Sequence, residues 1–235
     1  MSLEQEKICL MFDRIARTYD PVNRILSVGQ DQRWRNLMVR QIPRQENLSV
    51  LDVATGTADV LIALCKNNPH MARGEGVDLA EKMLEIGRAK IKAFGLSDKL
   101  SLHKADAKKL PFEDNCFDAV TISFGIRNFS AIKQSLLEIA RVLKPGGRLL
   151  ILEFSLPKNF WVRSIYLFYF RFILPWLGGI ISREKNAYRY LNETVESFPY
   201  SKAFCQILDN AGFVSVKETP LCFGIATLYE GSNPC

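Results

Sequence analysis

Short apolar runs alternate with longer stretches of helical spacing along most of this chain. Ser49–Val53 is short, apolar and partly β-branched, as a strand buried on both faces should be. After a tight turn, Val60, Leu61, Leu64 and Cys65 recur at helical spacing. The rhythm then repeats. A strand ends at Asp78, a helix covers Glu81–Phe94 and stops at Gly95, and strands cover Leu100–Lys104 and Cys116–Ser123. A helix over Ala131–Leu143 ends at Lys144-Pro145-Gly146-Gly147, and a strand follows over Arg148–Phe154. Strand and helix in alternation predict an open α/β sheet with parallel strands. Upstream, Ile8, Met11, Phe12 and Ile15 share one face of a helix over residues 4–20, which Pro21 should end. A second helix covers Asp31–Gln41, so residues 1–45 form a helical cap. Downstream, helices over Ala187–Phe198 and Ser201–Ala211 precede strands over Val214–Glu218 and Cys222–Glu230. Thr219-Pro220 predicts a turn between those strands, and the tail after Glu230 should be loose. The whole, residues 1–235, reads as one domain.

One stretch departs from this rhythm. Phe160–Ile181 is long enough to span a bilayer, but Arg163 and Arg171 interrupt it and Pro175 and Gly178-Gly179 break it. A membrane span is therefore rejected. Two readings stay open: an apolar lid, within an insertion over residues 155–200, that covers a greasy substrate and touches a membrane surface; or a buried helix or dimer contact.

Composition narrows the class. Apolar residues make up 48% of 235, enough for a full core. The net charge of +6 and a pI near 9.0 suit an anionic partner or membrane surface without selecting one. Six scattered cysteines without a C-x-x-C and two lone histidines argue against a zinc site or a disulfide framework. They read as reduced thiols of a cytoplasmic protein; no metal is expected. The charged N-terminus lacks the apolar core of a signal peptide.

The candidate chemistry sits at predicted strand ends. Gly56 pivots the turn after the first strand, where a glycine accepts a positive φ and lets a ligand approach bare backbone. Asp78 follows 22 residues later, and a carboxylate there can accept from both vicinal hydroxyls of a ribose. Asp106, after the third strand, can accept from an adenine amine while the N–H of Ala107 donates to the ring. Ala58 stands where a dehydrogenase turn has its second glycine, so no pyrophosphate cradle is needed; a zwitterionic adenosine-bearing cofactor suits the acids better. Phe124-Gly125-Ile126-Arg127-Asn128 lies where substrate and cofactor should meet. Trp34 reads as a packed aromatic; Tyr19-Asp20 either packs or touches substrate.

These residues meet a known pattern. D-V-A-T-G-T-A-D, V-D-L-A-E-K-M-L, A-D-A-K-K-L-P-F, F-D-A-V-T-I-S-F-G-I-R-N and R-V-L-K-P-G-G-R-L-L-I-L-E-F resemble the class I S-adenosylmethionine methyltransferases. M-F-D-R-I-A-R-T-Y-D, F-G-I-R-N and A-Y-R-Y-L are more specific and resemble the UbiE/MenG/COQ5 family of quinone C-methyltransferases. The resemblance implies a Rossmann-like seven-stranded sheet whose last strand is antiparallel. It implies S-adenosyl-L-methionine as cofactor, held by the Asp52, Gly56 and Thr57 corner, Asp78 at the ribose, Asp106 and Ala107 at the adenine, and Ser123 beside the sulfonium. Family members usually carry G-G-T-G-D in the turn, where this chain has T-G-T-A-D, with side chains added at Thr55 and Ala58.

The implied reaction methylates a ring carbon of a prenylated hydroquinone, in menaquinone or ubiquinone biosynthesis or both. A phenol has a pKa near ~10, so a base or cation must help it ionise. Asp59 and Arg127 are the candidates, with Arg127 stabilising the oxyanion and Asn128 orienting the ring oxygen. Tyr19, Phe124 and Trp161 are the candidate substrate contacts. A homodimer and peripheral attachment at the inner face of the membrane stay open. Nucleic acid is not expected, because no N-P-P-Y-type tetrapeptide follows the fourth strand. The rival readings are a methyltransferase fold acting on another acceptor such as RNA, and a non-catalytic assembly subunit.

Overall fold

In the computed structural model, which describes residues 3–176 and 184–235, seven strands lie in the order β3-β2-β1-β4-β5-β7-β6. They are β1 (Leu48–Val53), β2 (Met71–Asp78), β3 (Leu100–Lys104), β4 (Phe117–Ser123), β5 (Leu143–Phe154), β6 (Val214–Leu221) and β7 (Ala226–Ser232). The first five are parallel, and β7 runs antiparallel to both β5 and β6. This is the seven-stranded sheet with an antiparallel last strand that the resemblance implies. The strand order turns at β1, which pairs with β2 on one side and β4 on the other. Ligands bind at such a switch point, outside the carboxyl ends of the strands.

Helices cover both faces. Leu48 and Val50 of β1 pack with Trp34 and Met38 of α2 (Gln30–Arg40) and with Leu61 and Leu64 of α3 (Asp59–Asn67). Leu51 and Val53, on the opposite face, pack with Leu136 and Ile139 of α5 (Ile132–Val142) and Phe204 and Leu208 of α8 (Lys202–Asn210). The period-two alternation of strand side chains thus serves two cores. Between β2 and β3, α4 (Glu81–Ala93) adds Met83, Leu84 and Ile91; Phe94, expected inward, is exposed and lies under the Lys66 ammonium at 3.8 Å.

Several boundaries depart from expectation. α1 runs Leu3–Leu26, straight through Pro21. A proline within a helix normally costs its hydrogen bond, but Ile15 and Ala16 before it and Val22 and Leu26 after it are all buried, so packing holds the helix on course. Thr219-Pro220 is not a turn. β6 continues through Pro220, which an edge strand tolerates because nothing need pair with its missing N–H. The reversal falls at Cys222–Gly224 instead. The tail is not loose either. β7 reaches Ser232, and the Asn233 amide donates to the carbonyls of Ala140 and Leu143 at 3.0 and 2.9 Å.

The insertion after β5 forms α6 (Phe160–Phe168), a π-helical turn (Tyr169–Ile173) and α7 (Lys185–Ser197). Leu177–Ile181, the end of the long apolar stretch, lies outside the described residues. Val22 and Leu26 of α1 join Tyr166, Phe170, Leu174 and Val195 in a separate apolar cluster, which couples cap to insertion. The Tyr169 hydroxyl donates to the Leu26 carbonyl at 2.8 Å. Among the described residues no helix is long and apolar enough to cross a membrane.

Candidate active site

The corner after β1 is held in unfavoured backbone. Gly56 has φ +56°, and Ala54 and Ala58 take φ +56° and +65° with side chains attached, at a cost of about 1–2 kcal/mol each. Nothing lies within 4 Å of where a Gly56 Cβ would stand, so the turn leaves open space above bare backbone. The Gly56 N–H donates to Asp78 Oδ2 at 2.9 Å, and Ala80 N–H to Asp78 Oδ1 at 2.9 Å. The two residues 22 apart in sequence are therefore hydrogen-bonded. Burial raises the Asp78 pKa, and those two N–H groups act against the rise.

A cleft enclosing about 840 Å³, open solvent at its mouth included, lies over this corner. Gly56, Asp78, Asp106, Ala107, Ser123 and Asn128 line it. Asp106 accepts from Lys108 N–H at 3.0 Å and from Gln5 Nε2 at 3.3 Å, so the start of α1 already donates to the carboxylate expected to read an adenine amine. Ser135 also lines the cleft, and its buried hydroxyl has no hydrogen-bond partner. A bare glycine turn, two rim carboxylates and an orphaned hydroxyl fit an adenosine-bearing cofactor.

A second cavity, about 1180 Å³ with open solvent included, adjoins the first. Phe12, Tyr19 and Phe124 line both. Its walls are mostly apolar and come from far apart: Met11 and Ile15 of α1, Trp34 of α2, Phe154 of β5, Phe170 and Leu174 of the insertion, and Ile225 beyond β6. The polar groups are few and mostly engaged. Arg127 donates through Nη1 to Glu153 at 2.8 Å and lies on the Phe154 ring at 5.6 Å. Asn128 accepts from the Tyr190 hydroxyl at 3.0 Å. Arg35 donates through Nη1 to Asp31 at 2.8 Å and through Nε to Ser123 at 3.3 Å. Two buried groups lack partners, Arg127 Nε and the Tyr166 hydroxyl.

Of the predicted site residues, the structure thus gathers Gly56, Asp78, Asp106, Ala107, Ser123 and Asn128 at the first cavity, Arg127 at the second, and Tyr19 and Phe124 between them. Four others line neither cavity. Asp52 is buried beneath the turn, where Thr121 donates to it at 2.6 Å, and burial pushes its pKa up to about 6. Thr57 is buried and donates to Asp20 at 2.9 Å. Asp59 accepts from the Lys90 ammonium at 2.6 Å, which also holds Asp20 at 2.6 Å; the group expected as a base is pinned by a cation behind the turn. Trp161 is exposed on the outer side of α6. Asp31, Arg35, Ser135 and Tyr166 were missed. A signal existed for the first two: Asp31, Trp34, Arg35 and Met38 fall at i, i+3, i+4 and i+7, on one helix face. Nothing in the sequence marked Ser135 or Tyr166.

A doubly wound sheet of this order, with a cleft at the switch point and a second cavity beside it, is the fold of the class I S-adenosylmethionine methyltransferases. Solved structures of that class share the fold: a SAM dependent methyltransferase of Aquifex aeolicus (TM-score 0.58, 19% identity, 84% of this chain and 88% of that one). Phosphoethanolamine N-methyltransferase 2 of Haemonchus contortus also matches (TM-score 0.64, 14% identity, 86% of this chain and 52% of that one). Within the class, the profile of the ubiE/COQ5 methyltransferase family matches residues 1–233, and the chain belongs to that family. It is 45% identical to the demethylmenaquinone methyltransferase of Thermus thermophilus over 95% of this chain and all of that one. It is 42% identical to the ubiquinone/menaquinone biosynthesis C-methyltransferase UbiE of Geotalea daltonii, over 97% of each chain.

Proposed function

We propose that this protein transfers a methyl group from S-adenosyl-L-methionine to a ring carbon of a prenylated hydroquinone, in menaquinone or ubiquinone biosynthesis. The observation that carries this reading is the pair of cavities. A cleft suited to adenosine shares the wall of Phe12, Tyr19 and Phe124 with a larger chamber whose lining is mostly apolar. The names of the family relatives agree with it.

In this reading Asp78 accepts from the ribose hydroxyls, Asp106 and the Ala107 N–H hold the adenine, and Gly56 keeps the turn bare. The cofactor supplies an electrophilic methyl on a sulfonium. The aromatic wall sets the approach of ring to methyl, and alignment supplies much of the acceleration. Arg127, neutralised by Glu153 in the resting protein, offers its unpartnered Nε to a ring oxygen and stabilises the oxyanion. Asn128, oriented by Tyr190, fixes the same side of the ring.

The insertion extends this reading to the membrane. Tyr166, Phe170 and Leu174 face the chamber, while Trp161, Ile165, Phe168, Phe172 and Trp176 form an outward stripe at helical spacing, each 59–73% exposed. This stretch of α6 and the π-helical turn therefore covers a prenyl tail on one side and offers a bilayer an apolar, aromatic face on the other. Vesicle co-sedimentation should be lost in a Trp161→Ser/Phe168→Ser variant. A change from dimer to monomer with vesicle binding intact would instead assign the stripe to a second copy.

The function is tested by incubating the protein with S-adenosylmethionine and either a demethylated prenyl-naphthoquinol or a methoxy prenyl-benzoquinol, followed by mass spectrometry of the lipids. A gain of one methyl is expected on at least one ring. No gain on either, with cofactor binding verified by calorimetry, would overturn the reading.

A further inference from the structure

The reaction needs a proton acceptor, and the residue expected for that role, Asp59, is held by Lys90 outside both cavities. Glu153 is fully buried, is engaged by Arg127 and lines neither cavity. Among the described residues that line the apolar chamber, Asp31 is the one carboxylate. It is 5% exposed, on the inner face of α2, and held from two sides: Ser27 Oγ donates to Oδ1 at 2.8 Å and Arg35 Nη1 to Oδ2 at 2.8 Å. Each oxygen keeps lone-pair capacity for a further donor. Arg35 in turn donates to Ser123 in the cofactor cleft, so the carboxylate is tied to the place where the cavities meet. An i, i+4 ion pair on a solvated face would be unremarkable, but this one is buried and faces a cavity.

We propose that Asp31 accepts the substrate's phenolic proton; the proposal rests on the quinol reading above. The proton leaves the ring hydroxyl for Asp31 as the ortho ring carbon bonds to the methyl and the sulfur–methyl bond breaks, its electron pair going to sulfur. The methylated carbon then gives up its hydrogen as a proton to solvent, the C–H electron pair restoring the aromatic ring, and the ring oxygen recovers a proton from Asp31. One proton is released to solvent per methyl gained. The charged and titratable groups that line the chamber with Asp31 are Arg35 on its own helix, Tyr19 of α1, Arg127 after β4, Tyr166, Tyr169 and Tyr190 of the insertion, and Cys222 of the β6–β7 turn; Asp59 lies 3.8 Å from the Arg35 Nη1 that holds Asp31. Both cations hold electron density on oxygen and assist ionisation.

The test compares wild type with Asp31→Asn, which keeps the side chain's shape. At pH 7 the variant should lose about 10²–10⁴-fold in turnover, the span of general-base effects, while cofactor affinity by calorimetry stays within about twofold. Its rate should then climb about tenfold per pH unit toward the phenol's own pKa near ~10, as solvent ionises the substrate beforehand; wild type and Asp31→Glu should stay flat between about pH 7 and 9. In cofactor-free protein, wild type should bind a naphthol about tenfold tighter than its methyl ether, from one hydrogen bond to a charged group, and Asp31→Asn should lose that preference. A loss of turnover independent of pH, or retention of more than half the activity, would overturn the proposal. Cofactor binding with no methyl transfer to any quinol by wild type would overturn the underlying reading, and the proposal with it.

Discussion

The two cavities share a wall and differ in how they are made. Most of the cofactor cleft is built from the loops that follow β1 to β4, each fixed by a strand, a turn and a helix close in sequence. The apolar chamber draws on α1, α2, the segment after β4, β5, the insertion and the β6–β7 turn, a span from Met11 to Ile225. Carboxylates and bare backbone line the first. In the second, aromatic and aliphatic walls surround a few polar groups, two of them without partners. The cleft takes only one wall from the cap, through Gln5, Cys9, Phe12 and Tyr19 of α1, whereas the chamber exists only when cap, sheet and insertion pack together.

The contrast can be broken hardest at Arg127. Replacing it with Ala strands the wholly buried Glu153 carboxylate and should destabilise the fold by about 3–5 kcal/mol in chemical denaturation. Turnover should fall far more than cofactor affinity, because Arg127 lines only the chamber. Adding Glu153→Gln should return most of the stability and none of the turnover. Equal losses of turnover and cofactor affinity would show that the cavities do not act separately.

Asp52 probes the foundation of the cleft. Its pKa, about 6 when folded, lies above the ordinary carboxylate value, so the folded state holds the proton more tightly. The stability it contributes is complete below about pH 4 and is lost as pH rises through about 6, a change of about 3 kcal/mol at 1.36 kcal/mol per unit. Asp52→Asn should remove this slope between pH 4 and 6, as read from denaturant midpoints at each pH. An unchanged slope would place the titration elsewhere.

Asp78→Asn sharpens the comparison from the cleft side. It should weaken cofactor binding by about 1.5–3 kcal/mol, the worth of hydrogen bonds to a charged acceptor, and leave short-chain quinol binding unaltered by calorimetry. The smallest effect is expected at Tyr166. Its buried hydroxyl has no partner, so Tyr166→Phe should leave the cofactor-free protein as stable or up to about 1 kcal/mol more so. A melting temperature lowered by several degrees would mean that the hydroxyl is already satisfied.

Much of this molecule was legible in its sequence, and the reason is physical range. Strand burial, helix spacing and the glycine at the first turn are short-range effects, so β3 falls on Leu100–Lys104 as expected and Gly56 meets Asp78 across the corner. The same local logic failed where packing outweighed it: α1 passes through Pro21, and β6 passes through Pro220 on an edge that needs no donor there. Side-chain roles were harder. Asp59 and Thr57 sit in the right loop by sequence, but Lys90 and Asp20, brought from 31 and 37 residues away, turn them into a clamp behind the turn. Asp31 carried no motif, and only the docking of α2 against α1 and β5, with the insertion across the chamber, gives it a cavity to face. By itself the sequence determined the sheet, the Gly56–Asp78 corner and the family; the tertiary structure decided which polar groups face the chamber, because that depends on contacts between residues far apart in the chain.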